Sequence, residues 1–223
     1  VAELTRGLQA ERVRANLERA RGQIAAAAER SGRDPAEVEI CAATKYVPAH
    51  ELGVLAEAGV ETVGENRAQD LEAKVAAHGE RFRWDFIGQL QSRKVRQILP
   101  HVRLIHSLAS ESALTQLERH RNLARAGLEL LVEVDLAGEA GKAGVPPEEV
   151  EGFLARSPLP VTGLMTMPPP VRDPEESRPY FARLRALAQG HGLARLSMGT
   201  TQDFAVAVEE GATIVRLGTI LYA

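Results

Sequence analysis

The sequence predicts an α/β chain folded as a single (β/α)8 barrel of the TIM type with an extra N-terminal helix. Three observations carry this. Strand and helix signals alternate eight times between residues 38 and 223, which is the pattern of a closed parallel barrel with its helices outside. The 223 residues are few for such a barrel but workable, and leave no room for a second domain after the eighth strand. No G-x-G-x-x-G follows the first strand, which removes the main support for an open doubly wound sheet. Residues 1–33 read as the leading helical segment and 38–223 as the barrel.

Taken in order, Leu4, Leu8, Val13, Leu17, Ile24 and Ala28 recur at helical spacing over residues 3–30, and Ser31-Gly32-Arg33-Asp34-Pro35 ends that helix. The apolar run 38–44 is the first strand, with a helix after Pro48. A short strand at 60–63 precedes a helix beginning near Glu65. Strands at 84–88 and 102–106 lead to helices over 91–99 and 110–126. Leu128–Leu136 leads to a loop and a helix over 147–156, and 159–165 to a Pro-rich loop and a helix over 174–190. The seventh strand, 194–197, has its helix after Gln202, and the eighth, 212–217, ends in a short turn.

A net charge of −3 with no basic tail gives no support to nucleic-acid binding. The single cysteine, Cys41, cannot form an intrachain disulfide and fits a reducing, cytoplasmic setting. No stretch approaches the ~20 apolar residues of a membrane span. The six histidines show no metal spacing, and His106, near a strand end, reads as packing. Trp84, Phe86 and Ile87 read as barrel wall.

Lys45 stands out. The chain has 23 arginines and only four lysines, Lys45, Lys74, Lys94 and Lys142. Lys45 closes the apolar run Val38-Glu39-Ile40-Cys41-Ala42-Ala43-Thr44. A lysine desolvated among apolar neighbours has a lowered pKa and a useful fraction of free amine, which a guanidinium cannot supply. Such an amine condenses with an aldehyde to a Schiff base. The plainer alternative is a strand-end lysine whose head stays in water.

In a barrel of this type the reactive face is the carboxyl end of the strands. There the sequence places Lys45, Gly64-Glu65-Asn66, Gly88-Gln89-Leu90-Gln91-Ser92, Ser107, Asp135, Met165-Thr166-Met167, Ser197-Met198-Gly199-Thr200-Thr201 and Arg216-Leu217-Gly218-Thr219. The last two groups suit a phosphate, because glycines admit an anion to the backbone and helix-start N–H groups donate to it. Ser197, Thr200, Thr201 and Thr219 add hydroxyls. Taken singly, each fragment is better explained by helix capping; two adjacent loops together with Lys45 favour the anion. A phosphate and an aldehyde on one ligand suggest pyridoxal 5′-phosphate (PLP), with a phosphorylated sugar as the other candidate.

Arg216 lies between Val215 and Leu217 in an apolar strand, so it needs a partner. A guanidinium facing a pyridine nitrogen would keep that nitrogen unprotonated and weaken the ring as an electron sink. The alternative is a structural ion pair with Glu65 or Asp135. Asp135 itself reads as a loop cap or as a partner of Lys142. Gly138-Glu139-Ala140-Gly141-Lys142-Ala143-Gly144 is not a Walker loop, because Ala143 follows the lysine. It reads as a mobile loop.

The ordered segments Ala43-Thr44-Lys45, Gly64-Glu65-Asn66, Trp84 to Lys94, Gly163-Leu164-Met165-Thr166, Leu196-Ser197-Met198-Gly199 with Asp203-Phe204, and Val215 to Thr219 resemble the YggS/PROSC family of pyridoxal phosphate homeostasis proteins, from about Val38 to Tyr222. The resemblance implies a single barrel like the N-terminal domain of alanine racemase, with PLP held as a Schiff base on Lys45. It implies that Asn66 lies near the ring. Ser197, Met198, Gly199, Thr200, Thr201, Gly218 and Thr219 then form the phosphate segments, with Arg216 at the pyridine nitrogen. The chain departs from the family at Thr44 for serine, at Asp85 and Arg93 for His and Asn, and at Thr200-Thr201 for Met-Ser.

The implied role is a non-catalytic carrier or regulator in vitamin B6 and amino-acid homeostasis, a cytoplasmic monomer that meets PLP, amino acids and PLP-dependent apoenzymes. A racemase of this barrel type draws its second base from an added C-terminal domain and a partner subunit. Because this sequence ends at Tyr222-Ala223, the expectation is an open site with no second base. The alternatives are a PLP-dependent racemase-like enzyme and a Schiff-base aldolase acting on a phosphosugar.

Overall fold

The computed structural model describes residues 5–138 and 143–223. Its eight strands are β1 Glu39–Ala43, β2 Thr62–Glu65, β3 Arg83–Phe86, β4 Leu104–Leu108, β5 Glu129–Glu133, β6 Val161–Met165, β7 Arg195–Thr200 and β8 Ile214–Leu217. All neighbours pair in parallel, and β8 closes on β1 with Cys41 opposite Arg216. The helices are α1 Ala10–Arg30, α2 Leu52–Glu57, α3 Ala68–His78, α4 Val95–Ile98, α5 Glu111–His120, α6 Val150–Ala155, α7 Arg178–Gly190, α8 Phe204–Glu209 and α9 Thr219–Tyr222. This is the (β/α)8 barrel with an extra N-terminal helix that the alternation predicts.

The alternation of side chains along each strand divides the core in two. Cys41, Leu104, Leu131, Met165 and Ile214, with Ile87 against them, form a small apolar cluster inside the barrel. Trp84, Phe86, Leu130, Leu164, Met198 and Val215 belong to the larger cluster, which also takes in the helix residues Leu17, Leu55, Leu71, Leu117 and Phe181. Trp84 and Phe86 are thus wall residues, as expected, and Ile87 packs inward. Each buried large side chain stabilises by about 1.5–3 kcal/mol.

The leading helix starts at Ala10 rather than near residue 3. Its buried face is Val13, Leu17, Ala20, Ile24, Ala27 and Ala28. Asn16 donates to the carbonyls of Leu221 at 3.3 Å and Ala223 at 2.9 Å, which fixes α1 against α9. Several helices are shorter than the periodicity suggests because 3-10 turns replace their first residues, as at Ser92–Lys94 before α4 and Pro174–Ser177 before α7.

The amino end of the barrel is closed by ion pairs. Arg103 bonds both oxygens of Asp85 at 2.9 and 3.1 Å and Glu39 at 2.6 Å. Arg83 pairs with Glu61 at 2.7 Å and Arg195 with Glu129 at 3.1 Å. A cavity of about 690 Å³ opens there beneath α1. Its Arg83 and Arg195 are both matched by glutamates, so it offers a phosphate no surplus of positive charge.

Candidate functional site

At the carboxyl end, β1 stops at Ala43, and Thr44 is buried while Lys45 and Tyr46 are exposed. Lys45 is exposed, and its Nζ lies 5.0 Å from the Tyr46 ring centroid. The expected desolvation of Lys45 is therefore not found, and the alternative, a head in water, describes its surroundings. The reason is local: the strand ends one residue early, at Ala43, so Lys45 lies beyond it and its head is open to solvent. The turn is held from below, where Val47 N–H donates to Thr44 O at 2.9 Å.

The buried lysine is Lys74, on the inner face of α3. Its Nζ lies 2.6 Å from Glu65 Oε1 and donates to Thr44 O at 2.8 Å. Thr44 Oγ1 also donates to Glu65 Oε1. Burial pushes the Glu65 carboxyl above its ordinary value, against the pull of Lys74. Sequence reading passed over Lys74, although it is as rare in this Arg-rich chain as Lys45 and lies three residues after the buried Leu71 on the same helical face.

Arg216, on β8, is buried at 5% exposure. It forms no ion pair with Glu65 or Asp135. Its Nη1 donates to Ser197 O at 2.9 Å and to Ser197 Oγ, and its Nη2 donates to Thr166 O at 3.1 Å. A guanidinium has five N–H donors, and these three bonds leave two for a ligand. Burial lowers its pKa, opposed by Cys41, Glu133 and Asp203. A guanidinium nonetheless remains charged.

Ser197 is fully buried inside the barrel, and its hydroxyl also meets His106 Nδ1 at 2.8 Å. Met198 points its side chain into the helix-facing core, so only its backbone is near the site. Gly199 has φ +90°, and a Cβ there would come within 2.5 Å of Ala207 Cβ, so only glycine fits between β7 and α8.

Thr200 N–H and Oγ1 both donate to Asp203 Oδ1, at 2.7 and 3.2 Å. Asp203 Oδ2 accepts from Ser177 at 2.9 Å. Gly218 N–H donates to Thr201 Oγ1 at 3.3 Å, which ties the seventh and eighth loops together. Thr219 is exposed at the start of α9. Sequence reading used Asp203 only as part of a motif; its place just before a helix was the available signal for a capping carboxylate.

Tyr222 Oη donates to Ala43 O at 3.3 Å, so α9 closes back on the end of β1. Asn66 follows β2 and is half-buried. Its carbonyl lies 2.2 Å from where a Cβ on Gly88 would sit, so the second and third loops pack together only because residue 88 is glycine. Asn66, Arg67, Gln89, Arg93 and Lys94 line a small cavity of about 170 Å³. Asp135 Oδ1 accepts from Ala137 and Gly138 N–H at 3.1 and 2.9 Å, the loop-capping role. Lys142 and residues 139–142 of the expected mobile loop lie outside the described residues. Among the described residues no cluster of His, Cys, Asp and Glu could hold a metal, and no helix is long and apolar enough to cross a membrane.

Comparison with known proteins agrees with this geometry. Residues 11–223 match the alanine racemase N-terminal domain family. The pyridoxal phosphate homeostasis protein of Aquifex aeolicus is 39% identical over 92% of this chain and 95% of its own length. That of Pseudomonas aeruginosa is 36% identical over 93% of each. The structure of PipY from Synechococcus elongatus PCC7942 with PLP bound superposes with a TM-score of 0.76 at 32% identity, covering 90% of this chain and 100% of PipY. A lysine/ornithine decarboxylase from Vibrio vulnificus, at 15% identity and a TM-score of 0.67, shares the fold. With its barrel complete from β1 to β8 and relatives of this identity along nearly its whole length, the chain belongs to the pyridoxal phosphate homeostasis proteins of the alanine racemase N-terminal domain family.

Proposed function

We propose that this chain binds PLP at the carboxyl face of the barrel and serves PLP and amino-acid homeostasis as a carrier or regulator, without turnover of its own. The observation that carries the reading is the pairing of β1 with β8, Cys41 opposite Arg216 and Ala42 opposite Leu217. It brings the exposed amine of Lys45 and the two remaining N–H groups of Arg216 to adjacent strand ends. A relative 32% identical over 90% of the chain has been solved with PLP bound.

The residues fit that ligand. PLP supplies an aldehyde that an amine captures reversibly and a ring that draws electrons from a bound amino group. Lys45 offers the amine. Arg216, held from below by Ser197 and Thr166, presents donors to a ring nitrogen and opposes its protonation, which limits the ring as an electron sink. Asn66 stands on the neighbouring loop, where it can flank the ring.

The phosphate belongs to the seventh and eighth loops, near Gly199, Thr201, Gly218 and Thr219. Within that set, Thr200 faces the Asp203 carboxylate and Gly218 N–H is occupied by Thr201. The exposed Thr219 and the N–H groups opening α9 are therefore the principal donors.

The absence of turnover is argued from the groups that could act as a second base. The Tyr222 hydroxyl donates to Ala43 O, and burial holds its pKa far above the ordinary value. Cys41 is an interior thiol pushed up by burial. Neither can take up a proton readily near neutral pH. The reading is tested by adding PLP to purified protein and recording absorbance and borohydride-fixed mass. A stoichiometric PLP-dependent band and a fixed adduct are expected. A colourless protein that instead fixes a phosphosugar would overturn the reading in favour of an aldolase.

A further inference from the structure

Inside the barrel, below the mouth, lies a hydrogen-bonded chain of polar groups on four strands. Arg216 Nη1 donates to Ser197 Oγ, Ser197 Oγ meets His106 Nδ1 at 2.8 Å, and His106 Nε2 meets Asp85 Oδ2 at 3.1 Å. Arg103 Nε then donates to Asp85 Oδ1 at 2.9 Å. Ser197, His106 and Asp85 are at most 0% exposed. Ser, His and Asp are the residue types of a hydrolase triad. Here Ser197 is closed off from any substrate and its oxygen already accepts from Arg216, so it is no nucleophile.

The direction of the protons follows from the partners. The Asp85 carboxylate only accepts, so His106 Nε2 carries the hydrogen. Burial keeps the imidazole below its ordinary pKa against the pull of Asp85, and Arg216 and Arg103 at the two ends add to the lowering. A neutral ring protonated at Nε2 presents a lone pair at Nδ1. The Ser197 hydroxyl must donate to it, which turns a Ser197 lone pair toward Arg216. Every link is then matched, donor to acceptor, from Arg103 to Arg216.

We propose that His106 is a positioning residue: through Ser197 it fixes the rotamer of Arg216 and so sets the contact this guanidinium makes with the ring of bound PLP. This rests on the PLP-binding reading given above. Asp85 fixes the His106 tautomer, and Arg103 holds Asp85. None of the three reaches the mouth of the barrel, so their effect on the ligand is transmitted only through Arg216.

The test uses the full chain with ¹⁵N-labelled histidine, Ser197→Ala and Asp85→Asn variants, and PLP as ligand. Without PLP, the ring-nitrogen spectrum of the wild type should show a neutral His106 protonated at Nε2, and Asp85→Asn should move the proton to Nδ1. With PLP, Ser197→Ala should shift the absorbance maximum and weaken binding about tenfold, with an unchanged far-UV circular dichroism spectrum. If Asp85→Asn fails to fold, Ser197→Ala and the wild-type tautomer still decide. A wild-type His106 protonated at Nδ1, or a Ser197→Ala protein with unaltered PLP spectrum and affinity, overturns the inference while leaving the PLP reading intact. A wild type with no PLP-dependent band overturns both.

Discussion

Lys74 donates to the carbonyl of Thr44 at 2.8 Å, one residue before the lysine proposed to meet PLP. The same ammonium neutralises the fully buried Glu65 at 2.6 Å. The loop that carries Lys45 is thus clamped from the helix side by a buried ion pair. Lys74→Met would leave a buried carboxylate without its cation, which costs roughly 3–5 kcal/mol. The double variant Lys74→Met/Glu65→Leu removes both charges and should recover most of that loss. Urea denaturation of the three proteins measures it; a single variant as stable as the wild type would show that the pair does not hold the loop.

The phosphate donors are tested by Thr219→Val. Loss of one hydroxyl donor to a charged group should weaken PLP binding by about ten- to a hundredfold, from roughly 1.5–3 kcal/mol. Arg93→Ala and Lys94→Ala, which alter the small cavity beside Asn66, should change affinity far less. The reverse ranking, read by fluorescence titration with PLP, would move the phosphate to that cavity.

His106 gives a pH dependence with a definite sign. Its folded pKa lies below the ordinary 6.5, so below that pH the unfolded chain binds a proton that the folded chain resists. Stability therefore rises with pH through this window and falls as pH drops below about 6.5. Glu65, raised above its ordinary 4.5, acts in the opposite sense, its contribution falling as pH rises from that value. The difference between wild type and His106→Gln isolates the histidine. Denaturation midpoints whose difference stays constant from about pH 5 to 8 would contradict it.

Much of this was legible in sequence. The eight strands, their order and the residues at their carboxyl ends follow from alternation and punctuation, because a barrel strand is short and its ends carry Gly, Ser and Thr. What did not follow was side-chain direction near those ends. A strand that stops at Ala43 instead of Thr44 leaves Lys45 beyond its end and exposed. A bulge between Ser197 and Thr200 in the β7–β8 ladder interrupts the register in the segment expected to hold phosphate, and Ser197 points inside. His106 reads as packing because its two partners, Asp85 and Ser197, lie 21 and 91 residues away in the chain. Only closure of the barrel brings them together.

Amino acids should bind the PLP-loaded protein and perturb its spectrum, yet racemisation, decarboxylation and transamination should remain negligible. The proposed contact of Arg216 with the ring nitrogen would oppose its protonation, and the Tyr222 hydroxyl is engaged by Ala43. Chiral chromatography of alanine and other common amino acids after prolonged incubation checks this. Steady-state racemisation that disappears in Lys45→Ala would make the protein an enzyme.

The central claim is that Lys45 is the residue that captures PLP. Borohydride treatment of PLP-loaded protein, followed by intact-mass measurement and peptide mapping, tests it most directly. The wild type should carry one fixed PLP, on the peptide containing Lys45, and Lys45→Ala should lose both the adduct and the absorbance band. A Lys45→Ala protein that still fixes PLP at full yield, on Lys74, Lys94 or Lys142, would contradict the account.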